Sequence, residues 1–386
     1  MEKLKDTMKG AHKSIHFWVI LFFAIFLLFV FLIAPATLSN ISYQYGEGLV
    51  NKAEEKIEEI MNTSSVPALD KEDYDRRMAI LANNPPPPQP VIKKVKQPDG
   101  TYVEETTIPE VKPTGWPVKS VYPKDGAILP FNRVVAYYGN LYSKKMGVLG
   151  EYPEAEMISK LNAEVLKWET ADPATPVIPA LHYIAVVAQA SAGADGKYRA
   201  RMPYKEIDKV LVMAEKINAI VFIDIQVSLS DLQSELPYFE KYLKMPNVHL
   251  GIDPEFSMKT GKRPGTVIGT FDAADINFAS EYLANLVMVN NLPPKILVIH
   301  RFTEKMVTNY KSIKLRPEVQ VVMDMDGWGH QARKLNTYKQ FVQKQPVQFA
   351  GFKLFYKNDL KEENARMLTP SELMDLRPHP IYIQYQ

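Results

Sequence analysis

Eight short β-rich runs alternating with amphipathic helical stretches predict an α/β fold, a (β/α)8 TIM barrel over residues 131–386, preceded by an N-terminal transmembrane helix and a Pro-rich spacer. Three observations carry this reading: the alternation itself, the placing of polar residues late in successive strands, and an uncharged apolar run near the N-terminus. The length of 386 residues suits it, since a barrel takes about 250 residues and leaves an appendage.

Residues 1–14 carry Lys3, Lys5, Lys9 and Lys13 and are expected to stay cytoplasmic under the positive-inside rule. Residues 15–34, IHFWVILFFAIFLLFVFLIA, contain no charge and as a helix span about 30 Å, enough to cross a bilayer. A cleaved signal peptide is the alternative. Ala34 and Ala36 are small, but Pro35 separates them and the apolar run exceeds a usual h-region. The reading is a single-pass anchor in the cytoplasmic membrane, N-terminus inside and the C-terminal domain outside.

Residues 35–130 read as a stalk helix and a Pro-rich spacer. Leu49, Ala53, Ile57 and Ile60 share one helical face between Glu47 and Met61. From Asn62 to Pro130 prolines recur, including Pro85 to Pro88, which favours extended polyproline II. Within it, VIKKVKQ, PDG and TYVEETTI suggest a small hairpin turned by Asp99 and Gly100.

The eight strands are RVVAYYG from Arg133, VIPALHYIA from Val177, AIVFIDIQ from Ala219, VHLGIDPEF from Val248, KILVIHRF from Lys295, VQVVMDMDG from Val319, FAGFKLFY from Phe349 and IYIQY from Ile381. Helical candidates between them include Glu154 to Trp168, Lys205 to Ile217, Leu232 to Leu243, and Ala274 to Asn290 with Asp272 as N-cap. The last strand ends the chain, as closure of a barrel would have it; an open α/β sheet is the alternative, but Gly139, Gly147 and Gly150 form no GxGxxG fingerprint.

Composition narrows the function. Lys and Arg number 46 against 44 Asp and Glu, interspersed, so no basic field points to nucleic acid. Cysteine is absent, which excludes disulfides, thiolate metal sites, a Cys nucleophile and an acylated-cysteine lipid anchor.

Active sites of such barrels lie at the carboxyl ends of the strands. There the chain places Tyr137, His182, Asp224, Gln226, Asp253, Glu255, His300, Asp324, Asp326 and Lys353. Asp253 and Glu255, two residues apart across Pro254, are expected on one strand face, and two close carboxyls drive their pKa values apart, as an acid and a base require. Asp324 and Asp326 repeat the spacing, followed by Trp328, a candidate sugar platform. The catalytic set is therefore Glu255, Asp253, Asp324 and Asp326. Tyr137, His182, Asp224, Gln226, His300, Trp328, Lys353 and Tyr356 are expected to bind or orient substrate. Arg199 and Arg201 on one loop, and Lys259, Lys262 and Arg263 on another, would favour an anionic one.

Asp253-Pro254-Glu255 in its apolar run resembles the acidic pair of chitinase-like glycoside hydrolase barrels, where the Glu is the acid and the Asp assists it. That likeness implies Glu255 as proton donor and Asp253 as its partner. Asn247 to Gly251 lacks the further Asp of that signature, which argues against substrate-assisted catalysis. The closing IYIQYQ and the strand-four acids resemble lysozyme-type barrels acting on peptidoglycan, and the stretch from Val134 onward resembles bacterial envelope proteins with glycoside-hydrolase-like TIM barrels. The expected function is hydrolysis of a cell-envelope or extracellular glycan without a cofactor. The alternatives are a non-catalytic glycan-binding barrel, a phosphodiesterase holding Mg²⁺ or Ca²⁺ through Asp224, Asp253, Glu255, Asp324, Asp326 and His300, and a Schiff-base lyase using Lys353.

Overall fold

The computed structural model describes residues 67–86, 88–109 and 114–386. The expected cytoplasmic tail, anchor (15–34) and stalk helix (47–61) lie outside the described residues. Among the described residues no helix is long and apolar enough to cross a membrane.

The barrel strands are β1 (Arg133–Gly139), β2 (Val177–Ala188), β3 (Ile220–Ile225), β4 (Val248–Ile252), β5 (Lys295–Arg301), β6 (Val319–Met325), β7 (Phe349–Leu354) and β8 (Tyr382–Tyr385). Each pairs in parallel with the next. The ring closes where Tyr382 to Tyr385 on β8 pair with Val134 to Tyr137 on β1. The eight strands are those read from the sequence, and the barrel is closed.

Two side-chain parities organise these strands. One parity, such as Val221, Ile223 and Ile225, packs outward under the helices. The other points inward and changes chemistry along the axis. At the amino end it is apolar: Val134, Ala136, Ala180, Phe222, Val298, Val322 and Tyr382 are buried together. Two residues further along each strand stand Tyr138, His182, Asp224, His300, Asp324 and Gln384, and β4 and β7 contribute Asp253 and Lys353 two residues beyond Gly251 and Gly351. Burial is complete or nearly so at all eight positions.

The outer layer is less regular than eight repeats would make it. Helices Glu154–Ala171, Tyr204–Glu215 and Ala273–Val289 follow β1, β2 and β4, and Asp272 caps the last by accepting from the Ala274 amide at 3.0 Å. After β3, Pro237 falls within the broken helical run Leu232–Glu235, Leu236–Phe239 and Glu240–Leu243, where it removes an N–H donor. Between β5 and β6 the described residues form no α-helix but the 3-10 turns Glu304–Met306 and Tyr310–Ser312 and the two-residue strand Val307–Thr308, paired with Phe271–Asp272. Arg301 explains this: its guanidinium is fully buried and donates to the carbonyls of Thr303, Glu304, Val307 and Phe341, which bends the chain around it.

Part of the stretch expected as spacer is folded. Helix Lys71–Ala82 begins at Asp70, whose side chain accepts from the Asp73 amide, and buries Tyr74, Met78 and Ala82 along one stripe. Tyr74 and Met78 join Leu129 and the apolar end of the barrel interior, closing its amino-terminal mouth. The spacing i, i+4, i+8 is a helical stripe, hidden among the charges of KEDYDRR. The strands Val91–Lys96 and Tyr102–Thr107 form an antiparallel hairpin exposed on both faces, with Asp99 accepting from the Thr101 amide in the turn.

Candidate active site

At the carboxyl end of the barrel a cleft of about 610 Å³ opens among Tyr138, Gln226, Asp253, Glu255, Asp326, Trp328, Lys353 and Phe355. Residues from β1, β3, β4, β6 and β7 or their following loops thus reach one space. Trp328 stands on the rim at 47% exposure, with the Lys361 ammonium 5.4 Å from its ring centre.

Asp253 and Glu255 reach the cleft differently from the expected pair on one strand. The β4 ladder ends at Ile252, and Pro254–Phe256 turns into a 3-10 helix with Asp253 as its N-cap. Pro254 has no N–H to extend the ladder. One Asp253 oxygen accepts from the Glu255 amide at 3.0 Å and the other from Gln226 Nε2 at 3.3 Å. Asp253 is therefore committed to holding the turn that presents Glu255. Glu255 is only partly buried and lines the cleft. Burial, with the nearby Asp326 charge adding to it, pushes its carboxyl up to about 7. Burial also carries Asp253 well above the usual carboxylate range.

Asp326 is in the opposite condition. Its Oδ1 lies 3.1 Å from Lys353 Nζ and its Oδ2 3.3 Å from His300 Nδ1. Burial would raise its carboxyl, but Lys353 and His300 outweigh burial and hold it below the usual value. Lys353 Nζ also stands 3.8 Å from the centre of the Tyr138 ring, a cation–π contact that leaves the ammonium facing the cleft carboxylates.

Beneath the floor lies a second polar group that does not line the cleft. His182, Asp224, His300 and Asp324 are wholly buried. Asp324, expected among the catalytic carboxylates, is sealed here with Oδ2 3.3 Å from His300 Nδ1, because its position lies one full strand period below Asp326. Burial raises its carboxyl. His182, Asp224 and His300, expected to touch substrate, are likewise walled off; burial lowers the His182 imidazole to about 4. His182 Nδ1 meets the Tyr382 hydroxyl at 2.6 Å, and the Tyr138 hydroxyl donates to Asp224 at 3.0 Å. The six-residue set suggested for Mg²⁺ or Ca²⁺ is divided between these two levels. The donors that do converge are His182, Asp224 and His300.

Tyr137 and Tyr356 require correction. Tyr137 is buried on the outward parity, where its hydroxyl meets that of Tyr356 at 3.0 Å and Tyr356 donates to Glu164. Both serve the layer between barrel and helices. The inward tyrosine is Tyr138, a mouth aromatic left out of the substrate-binding set although it shares the parity of Val134 and Ala136. Gln384, Tyr382 and the two inward glycines were also missed. A Cβ on Gly251 would stand 2.4 Å from His182 Nε2 and 2.5 Å from Asp224 Oδ1, and one on Gly351 2.7 Å from Asp324 Oδ1, so both glycines make room for the buried polar layer. The loop arginines are engaged as well: Arg199 and Arg201 bond the fully buried Glu235 at 2.8 and 2.7 Å, while Lys259 pairs with Asp275.

No protein family model matches the chain, and no curated protein matches it.

Proposed function

We propose that this protein is a glycoside-hydrolase-like enzyme acting on a cell-envelope or extracellular glycan, with its barrel held outside the cytoplasmic membrane by residues 15–34. The observation that carries the reading is the pair Glu255 and Asp326. They share one cleft, and their surroundings push their carboxyls in opposite directions. Glycosidic cleavage needs such a division of labour. In this reading Glu255 donates its proton to the departing glycosidic oxygen. Asp326, anionic against Lys353, stabilises the positive charge that builds at the anomeric carbon and acts as base or nucleophile. Asp253 positions Glu255 through the turn it caps. Trp328 and Phe355 supply apolar surface against which a sugar ring can stack.

The test is an assay of reducing ends released from purified wall polysaccharide. Glu255→Gln keeps the shape and removes the proton, so hydrolysis should fall about 10²- to 10⁴-fold while binding persists. Asp253→Ala, which removes the oxygen that caps the turn, should lose activity through a displaced Glu255. Wild-type rates in both variants would refute the assignment; a wild-type protein that binds the polymer without cleaving it would make this a glycan-binding barrel.

A further inference from the structure

We propose that the buried layer beneath the cleft is a binding site for one divalent transition-metal ion of the zinc class, held by His182 Nε2, Asp224 Oδ1 and His300 Nε2. The three atoms come from β2, β3 and β5 and lie within 4.8 Å of one another. Each belongs to a fully buried side chain and has no hydrogen-bond partner, the condition least tolerated in a protein interior.

Distance separates a metal site from an ion-paired cluster. Asp224 Oδ1 stands 3.3 Å from His182 Nε2 and 3.3 Å from His300 Nε2. A charge-assisted N–H to carboxylate bond would close to about 2.7–2.9 Å. Ligands standing about 2.0–2.1 Å from a tetrahedral ion are separated by roughly 3.3 Å along each edge. Two imidazole nitrogens with one carboxylate favour a borderline transition metal over Mg²⁺ or Ca²⁺, which prefer oxygen.

Every proposed ligand is also oriented from behind. His182 Nδ1 is held by Tyr382, and the second oxygen of Asp224 by Tyr138. His300 Nδ1 faces the Asp324 and Asp326 carboxylates, both at 3.3 Å, whose negative charge favours a proton on Nδ1 and leaves Nε2 for the ion. Gly251 completes the site by omission, since a side chain there would fill the space between His182 and Asp224. The ion would lie under the cleft and fix His300 with its Nδ1–H toward Asp326. The inference does not rest on the glycosidase reading, because metal content is measured without any substrate.

The experiment is elemental analysis of the full-length protein, purified in detergent without chelator from cells grown in zinc-supplemented medium, and again from cobalt-supplemented medium. The expected result is about one ion per chain, with visible d–d absorption in the cobalt form. His182→Gln should lose the ion. Tyr382→Phe, which keeps the ring and its packing, should weaken affinity about 10- to 100-fold. A wild-type protein that folds without zinc or cobalt from such media would overturn the proposal, as would a folded His182→Gln variant with undiminished metal. Loss of metal in the variants with wall hydrolysis preserved would leave the metal site standing and separate it from the chemistry above.

Discussion

At the scale of the residue, Tyr137 and Tyr138 show how one position decides a role. They are neighbours of the same type on β1, yet one reaches Tyr356 outside the barrel and the other Asp224 inside it. Tyr137→Phe should therefore leave activity unchanged and cost about 0.5–1.5 kcal/mol of stability, read by denaturant titration. Tyr138→Phe deprives Asp224 of its donor and should lower hydrolysis of wall polysaccharide at least severalfold; equal activity in the two variants would contradict these placements. Residue type was legible in the sequence, because acids, histidines and a lysine in apolar strands stand out. Orientation was harder, since Tyr is at home on either face. Parity counted back from His182 and Asp224 would have resolved it.

At the scale of the element, the strands were readable because both of their faces are buried, so each appears as a continuous apolar and β-branched run. Their connections were not. Among the described residues no α-helix joins β5 to β6, because the buried Arg301 draws the carbonyls of Thr303, Glu304 and Val307 around it, a demand that an Arg at a strand end does not announce in one dimension. Pro254, with no N–H to donate, ends the ladder as its chemistry requires, but Asp253 and Glu255 do not share a strand face: the turn makes one a cap and the other the residue it presents. Helix Lys71–Ala82 was hidden by its neighbourhood, a Pro-rich stretch whose average composition masks three apolar residues at helical spacing. Gly251 and Gly351 had no visible meaning in one dimension. Their purpose depends on His182, Asp224 and Asp324, which reach them across the barrel.

At the scale of the whole molecule, the interior is graded along its axis. A helix and apolar side chains close one mouth, a sealed polar layer follows, and a cleft with Glu255 and Asp326 opens at the other. This grading accords with the polar residues read late in each strand, and it leaves the described part of the chain with a core of its own. If residues 15–34 are the anchor, full-length protein should sediment with membranes and resist high salt, whereas a chain starting at Val66 should be soluble and folded. Recovery of the full-length protein in the soluble fraction would refute the anchor. The central claim is that Glu255 acts as a proton donor poised by burial, and the pH dependence of kcat/KM on wall polysaccharide tests it most directly. A carboxyl raised to about 7 is protonated below that pH and loses its proton above it, so activity should fall as pH rises through about 7. The residual activity of Glu255→Gln should lack this limb. An unchanged fall near pH 7 in that variant would contradict the account.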